Sequence, residues 1–135
     1  MPRQLAHALA VIALALPLGT SAQQPQFNKW DPPAMERIRL PQYCQAQFDT
    51  AWGKQYKIPT PMDLCGPGMN HFCPGLVMLN RARNTLLSRD ARRAYVRDAM
   101  MELGYTRARI PANCAIMPDF QAAEAQAKTL SQLLK

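Results

Sequence analysis

The sequence predicts a disulfide-stapled all-α protein, and three observations support this prediction. Several segments in the second half of the chain repeat apolar residues at helical spacing. No segment alternates apolar and polar residues over a length that would suit a β-strand. The chain also has four cysteines, an even number that suits two disulfides in a small exported domain. Together these features favour a disulfide-stapled helical hairpin closed by a further helix.

Residues 1–22 have the pattern of a secretory signal peptide. Arg3 supplies a positive charge, residues 5–18 form an apolar run, and small residues precede a cleavage point after Ala22. The run is shorter than the roughly 20 residues that span a bilayer, so we expect cleavage, with an uncleaved anchor as the alternative. No later segment is apolar enough to span a membrane. The sequence therefore predicts a periplasmic or secreted protein with a single domain.

Residues 23–40 are predicted to be an extended lead-in segment, because three prolines interrupt them and a fourth, Pro41, follows directly. Trp30 is expected to dock this segment on the core. A single helical domain is predicted over residues 41–135. It opens with a short helical stretch from Tyr43 to Trp52, and residues 54–69 read as a loop rich in proline and glycine.

Two helices joined by a short connection are predicted next. Asn70 is a candidate N-cap for the first helix, which ends near Asn84. Ser88 is a candidate N-cap for the second helix, and Gly104 is its expected stop. A connection this short predicts an antiparallel helical hairpin. The apolar positions are Phe72, Leu76, Leu79 and Ala82 on the first helix, and Ala91, Tyr95, Ala99 and Leu103 on the second.

A third helix is predicted near the C-terminus, with Asp119 as its N-cap. Glu124 and Lys128 are spaced to pair on its outer face. The apolar positions of this helix predict that it packs along the groove of the hairpin. These positions are Phe120, Ala123, Ala127, Leu130 and Leu134.

The four cysteines are predicted to form two disulfides in an oxidising compartment. Their spacing permits three pairings and does not select one of them. No C-x-x-C or C-x-x-C-H motif is present, which removes the usual signatures of dithiol oxidoreductases and c-type haem. The disulfide candidates are Cys44, Cys65, Cys73 and Cys114.

The sequence predicts no catalytic residues and no cofactor. After signal cleavage His71 is the only imidazole, so a Ser-His or Cys-His mechanism would have to use it. Cys73 would then have to remain an unpaired thiol, against the expected disulfides. Asp98 and Glu102 lie among arginines on one predicted helix, where pairing at the surface accounts for them.

Met69 and His71 are the candidate metal ligands, since thioether and imidazole groups suit Cu(I). The methionines are scattered without an M-x-M repeat, so we interpret this segment as packing and predict no metal site. In that interpretation His71 donates to a loop carbonyl and Cys73 anchors its helix through a disulfide. The alternative is a periplasmic copper-binding or thiol-redox protein that uses Met69, His71 and Cys73.

The chain is basic, with a net charge of +7, and arginines are dense between residues 81 and 109. In an exported protein such arginines meet acidic surfaces rather than nucleic acid. We therefore predict that they bind an envelope protein or complex, with a solvated helix face as the alternative. The candidate partner-binding residues are Arg81, Arg89, Arg92, Arg93 and Arg97.

Three segments together resemble a group of uncharacterised exported proteobacterial proteins that are often described as tetratricopeptide-like. The segments are LPQYC at residues 40–44, MNHFCPGLVMLNRA at 69–82 and ARRAYVRDAMMELGYT at 91–106. The resemblance implies disulfides Cys44–Cys73 and Cys65–Cys114. It also implies a tetratricopeptide-like hairpin over residues 70–103 with the third helix as a cap. The predicted function is an exported helical interaction or scaffold module without enzymatic activity.

Overall fold

The computed structural model of the protein describes residues 28–135, so the signal-peptide prediction and residues 23–27 of the lead-in segment lie outside the described residues. The described part is helical and contains no β-strand, which confirms the predicted all-α class. None of its helices is both long and apolar enough to cross a membrane. The helices are α1 Ala34–Arg37, α2 Gln42–Phe48, α3 Thr50–Tyr56, α4 Pro61–Cys65, α5 Phe72–Ala82, α6 Arg89–Arg107 and α7 Met117–Leu133, with a 3-10 turn at Met69–His71 before α5.

Helices α5 and α6 form the predicted antiparallel hairpin. The start of α5 lies beside the end of α6. The distances at Gly75 show this: a Cβ at that position would be 3.3 Å from Cβ of Glu102 and from the side chain of Leu103. At the other end, Nε of Arg92 donates to the carbonyl of Ala82, 2.8 Å away. Glycine at position 75 thus allows the two helices to approach closely.

The predicted start of α6 is confirmed, whereas its predicted end is wrong. Oγ of Ser88 accepts from the backbone N–H of Ala91, as an N-cap does. The helix does not stop at Gly104 but continues to Arg107. Leu103 and Thr106 on either side of the glycine are buried. Their packing outweighs the roughly 1 kcal/mol that a glycine costs inside a helix.

The segment predicted as a loop at residues 54–69 contains regular structure. Helix α3 extends to Tyr56, and α4 forms within the segment. Thr60 caps α4 in a reciprocal capping box with Asp63, and Pro61 occupies the first turn. The hydrogen bonds from the backbone N–H and the hydroxyl of Thr60 hold the pKa of Asp63 below its ordinary value. The sequence predicts Asn70 as the N-cap of α5. This prediction is wrong, because Asn70 lies in the 3-10 turn that precedes α5.

The lead-in segment is not extended throughout, because one helical turn, α1, follows Pro33. Beyond it, the predicted stretch from Tyr43 to Trp52 is two helices instead of one. They separate at Asp49, whose side chain accepts from the backbone N–H of Trp52 and so caps α3.

Helix α7 begins at Met117, two residues before the predicted cap Asp119. Its predicted apolar face is confirmed, with Phe120, Ala123, Ala127 and Leu134 buried and Leu130 packed partly against them. Glu124 pairs with Arg107 of α6 and not with Lys128. A further contact ties α7 to α2, since the hydroxyl of Tyr43 donates to Asp119 over 2.7 Å. Burial and this carboxylate raise the pKa of Tyr43.

Two disulfides tie the short N-terminal helices to the rest of the fold. Cys44–Cys73 joins α2 to α5, and Cys65–Cys114 joins the end of α4 to the segment before α7. This pairing is the one that the family resemblance implies, and it leaves no cysteine free. Two disulfides are consistent with an oxidising, extracytoplasmic compartment.

Candidate interaction surface

Four side chains stack on one another where the lead-in segment crosses the hairpin. We call Trp30, His71, Tyr105 and Arg109 the ring stack. The rings of His71 and Tyr105 have centroids 3.7 Å apart, and the edge of Trp30 meets His71 at 4.9 Å. The guanidinium of Arg109 lies 3.5 Å from the centroid of the Tyr105 ring.

Three separate segments supply the ring stack. Trp30 belongs to a turn in which its backbone N–H donates to Asn28. His71 ends the 3-10 turn before α5. Tyr105 and Arg109 are four residues apart at the end of α6, where Nη1 of Arg109 donates to the carbonyl of Tyr105. Gly68 makes room for this arginine, because a Cβ at that position would be 2.4 Å from its Cδ. The positive φ of Gly68, 93°, favours glycine independently.

A buried carboxylate lies beneath the ring stack. Glu102 is only 7% exposed. One of its oxygens accepts from Nζ of Lys29 at 2.7 Å, and the other accepts from Nδ1 of His71 at 2.5 Å. A carboxylate that accepts from two such donors is compensated for its loss of water. These contacts hold the lead-in segment on the hairpin.

The sequence interpretation missed this role of Glu102, which it placed in surface pairs with neighbouring arginines. The position of Glu102 in α6 carries the missed signal. It lies three residues after Ala99 and four before Thr106, and both of those are fully buried. Residues at this spacing share one helix face, so a glutamate there needs partners from another segment. The expected bond from His71 to a loop carbonyl is likewise replaced by the bond to Glu102.

Met69, His71 and Cys73, the residues of the copper-binding and thiol-redox alternative, have surroundings that differ from those of a metal or thiol site. Met69 is fully buried, and Cys73 is fully buried within a disulfide. The ring of His71 contacts Glu102, Trp30 and Tyr105. Across residues 28–135, no three His, Cys, Asp or Glu side chains come together as metal ligands would.

Three of the five predicted partner-binding arginines donate to backbone carbonyls at the ends of helices. Arg92 donates to the carbonyl of Ala82, at the end of α5. Arg89 and Arg93 both donate to the carbonyl of Leu134, at the end of α7. These side chains satisfy carbonyl groups that helix ends leave without partners.

The other two predicted arginines differ from each other. Arg81 donates through Nε and Nη2 to the carboxylate of Glu36, at 3.0 and 2.8 Å from Oε2, and also lies over the ring of Tyr95. Arg97 is exposed on α6, at the edge of a small depression beside α7. The structure therefore does not gather the five arginines on one open face.

A larger cleft of about 720 Å³ lies between α1, the end of α5 and the turn that follows it. We call it the arginine cleft. Arg39 and Arg83 were not among the predicted partner-binding residues. Arg83 belongs to the arginine-dense part of the chain, Arg39 lies far from it in sequence, and only the fold brings both into the lining of this cleft. Its lining includes Glu36, Arg39, Arg81, Arg83, Asn84 and Leu86.

Comparison of the chain with protein-family models, curated proteins and solved structures finds no match. The resemblance to exported proteobacterial proteins and the tetratricopeptide-like geometry therefore stay predictions. A functional proposal has to rest on the ring stack, the arginine cleft and the disulfides.

Proposed function

We propose that this protein is an exported, non-enzymatic helical module that binds another envelope protein through a surface centred on the ring stack. One observation carries the proposal. Trp30 and Tyr105 are 42% and 38% exposed, although both are large rings fixed in place by their neighbours. Rings that are exposed and already ordered are suited to contact a partner.

The composition of the ring stack supports a protein as that partner. Tryptophan, tyrosine and arginine dominate the few residues that carry most of the binding free energy in protein interfaces. Stacking against His71 and Arg109 restricts the rotamers of these side chains before binding. Less conformational entropy is then lost when the partner binds.

Two further features support an envelope protein as the partner. The disulfides suit an oxidising compartment, and the predicted signal peptide suits export to the periplasm or beyond. The proposal keeps arginines as partner-binding residues but uses different ones from those predicted from the sequence. Arg109 in the ring stack and Arg39 and Arg83 in the arginine cleft take the place of the arginines that bind helix ends.

The two tryptophans of the chain provide a matched test. Trp52 is partly exposed on α3, against Tyr56 and away from the ring stack. The tagged protein is crosslinked in cells of its own organism, the captured partner is purified, and its affinity is measured for Trp30→Ala and Trp52→Ala. We expect Trp30→Ala to weaken binding by about 30-fold, as removal of a ~2 kcal/mol anchor does, and Trp52→Ala to change it little.

Near-UV circular dichroism and thermal unfolding of both variants verify that the hairpin is folded. Equal affinity of the wild type and a folded Trp30→Ala variant would contradict the role of the ring stack. A protein that captures no envelope partner under crosslinking would contradict the interaction module as a whole.

A further inference from the structure

We infer that the arginine cleft binds an acidic protein segment in which an apolar side chain lies next to the carboxylates. This inference rests on the proposed function, because it names the chemistry of the partner. It concerns a surface separate from the ring stack, however, so the two can fail independently.

The charges in the cleft favour a carboxylate ligand. Arg39 makes no side-chain hydrogen bond or ion pair within residues 28–135, and Arg83 donates only to the neutral amide of Gln126. Arg81 lies in the same lining, with its guanidinium on Glu36. Three arginines and one glutamate leave a net positive charge, and the two exposed guanidinium groups retain donors in the geometry that binds a carboxylate.

The size and polar lining of the cleft suit a short stretch of chain. Its volume of about 720 Å³ lies within the range of ligand-binding clefts, roughly 300 to 1,000 Å³. Oδ1 of Asn84 accepts from the backbone N–H of Leu86, which leaves the amide N–H₂ group of Asn84 to donate into the cleft. Asn80 and Thr85 add further polar groups to the lining.

Leu86 favours an acidic protein segment over a small anion or a glycan as the ligand of the cleft. Its side chain is 93% exposed at the cleft, on a turn whose backbone N–H bonds to Asn84 hold it in position. An apolar group presented beside arginines gains free energy only if the ligand covers it with apolar surface. A peptide with leucine next to aspartate or glutamate does so, whereas a free phosphate or a glycan does not.

The lead-in segment connects the cleft to the ring stack. Glu36 and Arg39 of the cleft and Trp30 of the ring stack belong to the same segment, which Glu102 and Arg81 fasten to the hairpin. Lys29 and Arg81 also line one shallow depression between them. A single partner can therefore use both sites along one side of the hairpin.

The experiment uses the ¹⁵N-labelled protein and a synthetic, end-blocked peptide of alternating glutamate, aspartate and leucine. We expect saturable shifts of the Nε–H signals of Arg39 and Arg83. Arg39→Glu combined with Arg83→Glu should weaken binding by about tenfold or more, since exposed arginines become repulsive. Arg97→Glu makes the same kind of charge change outside the cleft and should alter the affinity less than about twofold. Leu86→Ser should weaken binding by about tenfold.

Several outcomes would overturn the inference. They are no saturation by about 1 mM peptide, equal affinity for a glutamine, asparagine and leucine peptide, or equal weakening by Arg97→Glu. Equal shifts on addition of inorganic phosphate alone, or of phosphatidylglycerol vesicles alone, would assign the cleft to a free anion or a lipid surface instead. The titration needs no natural partner, so it decides the cleft separately. Partner capture that depends on Trp30, together with a silent titration, would reject the cleft and keep the proposed function.

Discussion

Nδ1 of His71 donates a 2.5 Å hydrogen bond to Glu102, across the interface between the 3-10 turn and α6. The same carboxylate accepts from Lys29 of the lead-in segment. Glu102 therefore joins three segments that are distant in sequence. His71, the single imidazole among the described residues, acts here as part of this junction and as the centre of the ring stack.

The first prediction concerns this junction. Glu102→Gln replaces an acceptor oxygen by an N–H₂ group that faces the donors of Lys29 or His71. We expect the free energy of unfolding to fall by about 1 to 3 kcal/mol, the cost of leaving a buried donor without its acceptor. We also expect trypsin to cut after Lys29 faster, because the lead-in segment loses its anchor. Urea unfolding and timed proteolysis measure the two effects.

Asp98→Asn is the matched control, since Asp98 lies one turn earlier on α6 and is only half-buried. Its substitution should leave both measurements close to those of the wild type. Equal losses in the two variants would show that the charge of α6 matters rather than the junction at Glu102.

The arginines of α6 lead to a second prediction. Arg92→Ala removes a 2.8 Å bond to the carbonyl of Ala82 at the end of α5. We expect a loss of about 1.5 to 3 kcal/mol in the free energy of unfolding, as for a hydrogen bond to a charged group. Arg97→Ala removes an exposed side chain and should change stability by no more than about 0.5 kcal/mol. Indistinguishable urea midpoints for the two variants would refute the capping role of Arg92.

The long, periodic elements of the fold were predictable from the sequence. The spacing of Phe120, Ala123 and Ala127 gives the buried face of α7, and Ser88 marks the start of α6. Signals of this kind depend on residues a few positions apart in the chain, so they predict helices without knowledge of tertiary contacts. They are weaker at helix ends, where the burial of Thr106 carries α6 past Gly104.

The candidate site was much less predictable, because its contacts join residues far apart in sequence. Glu102 and Lys29 are neighbours only after the lead-in segment docks. Arg39 and Arg83 line the same cleft only because the fold brings α1 and the end of α5 to it. Sequence spacing describes single helices, so it places arginines on α6 but does not reveal that Arg93 donates to the end of α7. Tertiary contacts decide which charged side chains remain available to a partner.

A third prediction follows from the capping box of α4. Because the pKa of Asp63 is lower in the folded protein than in the unfolded chain, its carboxylate adds stability at pH values above the unfolded pKa of about 4. That contribution is lost as the pH falls through the folded pKa. The melting temperature of Asp63→Asn should therefore lie below that of the wild type at pH 7 and approach it under acid conditions. Asp31→Asn, at an exposed position, is the control. A wild-type advantage that persists in full at pH 2 would contradict this account.

The fourth prediction concerns the two disulfides, whose loops differ in length but have similar closure entropy, because that entropy depends only on the logarithm of loop length. The bridged residues are 29 apart for Cys44–Cys73 and 49 apart for Cys65–Cys114. Loop closure thus predicts a loss of about 4 kcal/mol for either pair of cysteine-to-alanine substitutions.

The Cys44–Cys73 pair is fully buried in the core, whereas Cys65 and Cys114 are 8% and 7% exposed. Removing the buried sulfurs also leaves a cavity, so the first double variant should lose about 1 to 2 kcal/mol more in urea unfolding than the second. In the wild type, dithiothreitol should reduce Cys65–Cys114 first, because its sulfurs are nearer to solvent. Alkylation and peptide mapping during the reduction measure the order. Earlier release of Cys44 and Cys73 would mean that the hairpin opens around α5 before the segment between α4 and α7 does, and would contradict a core centred on the first disulfide.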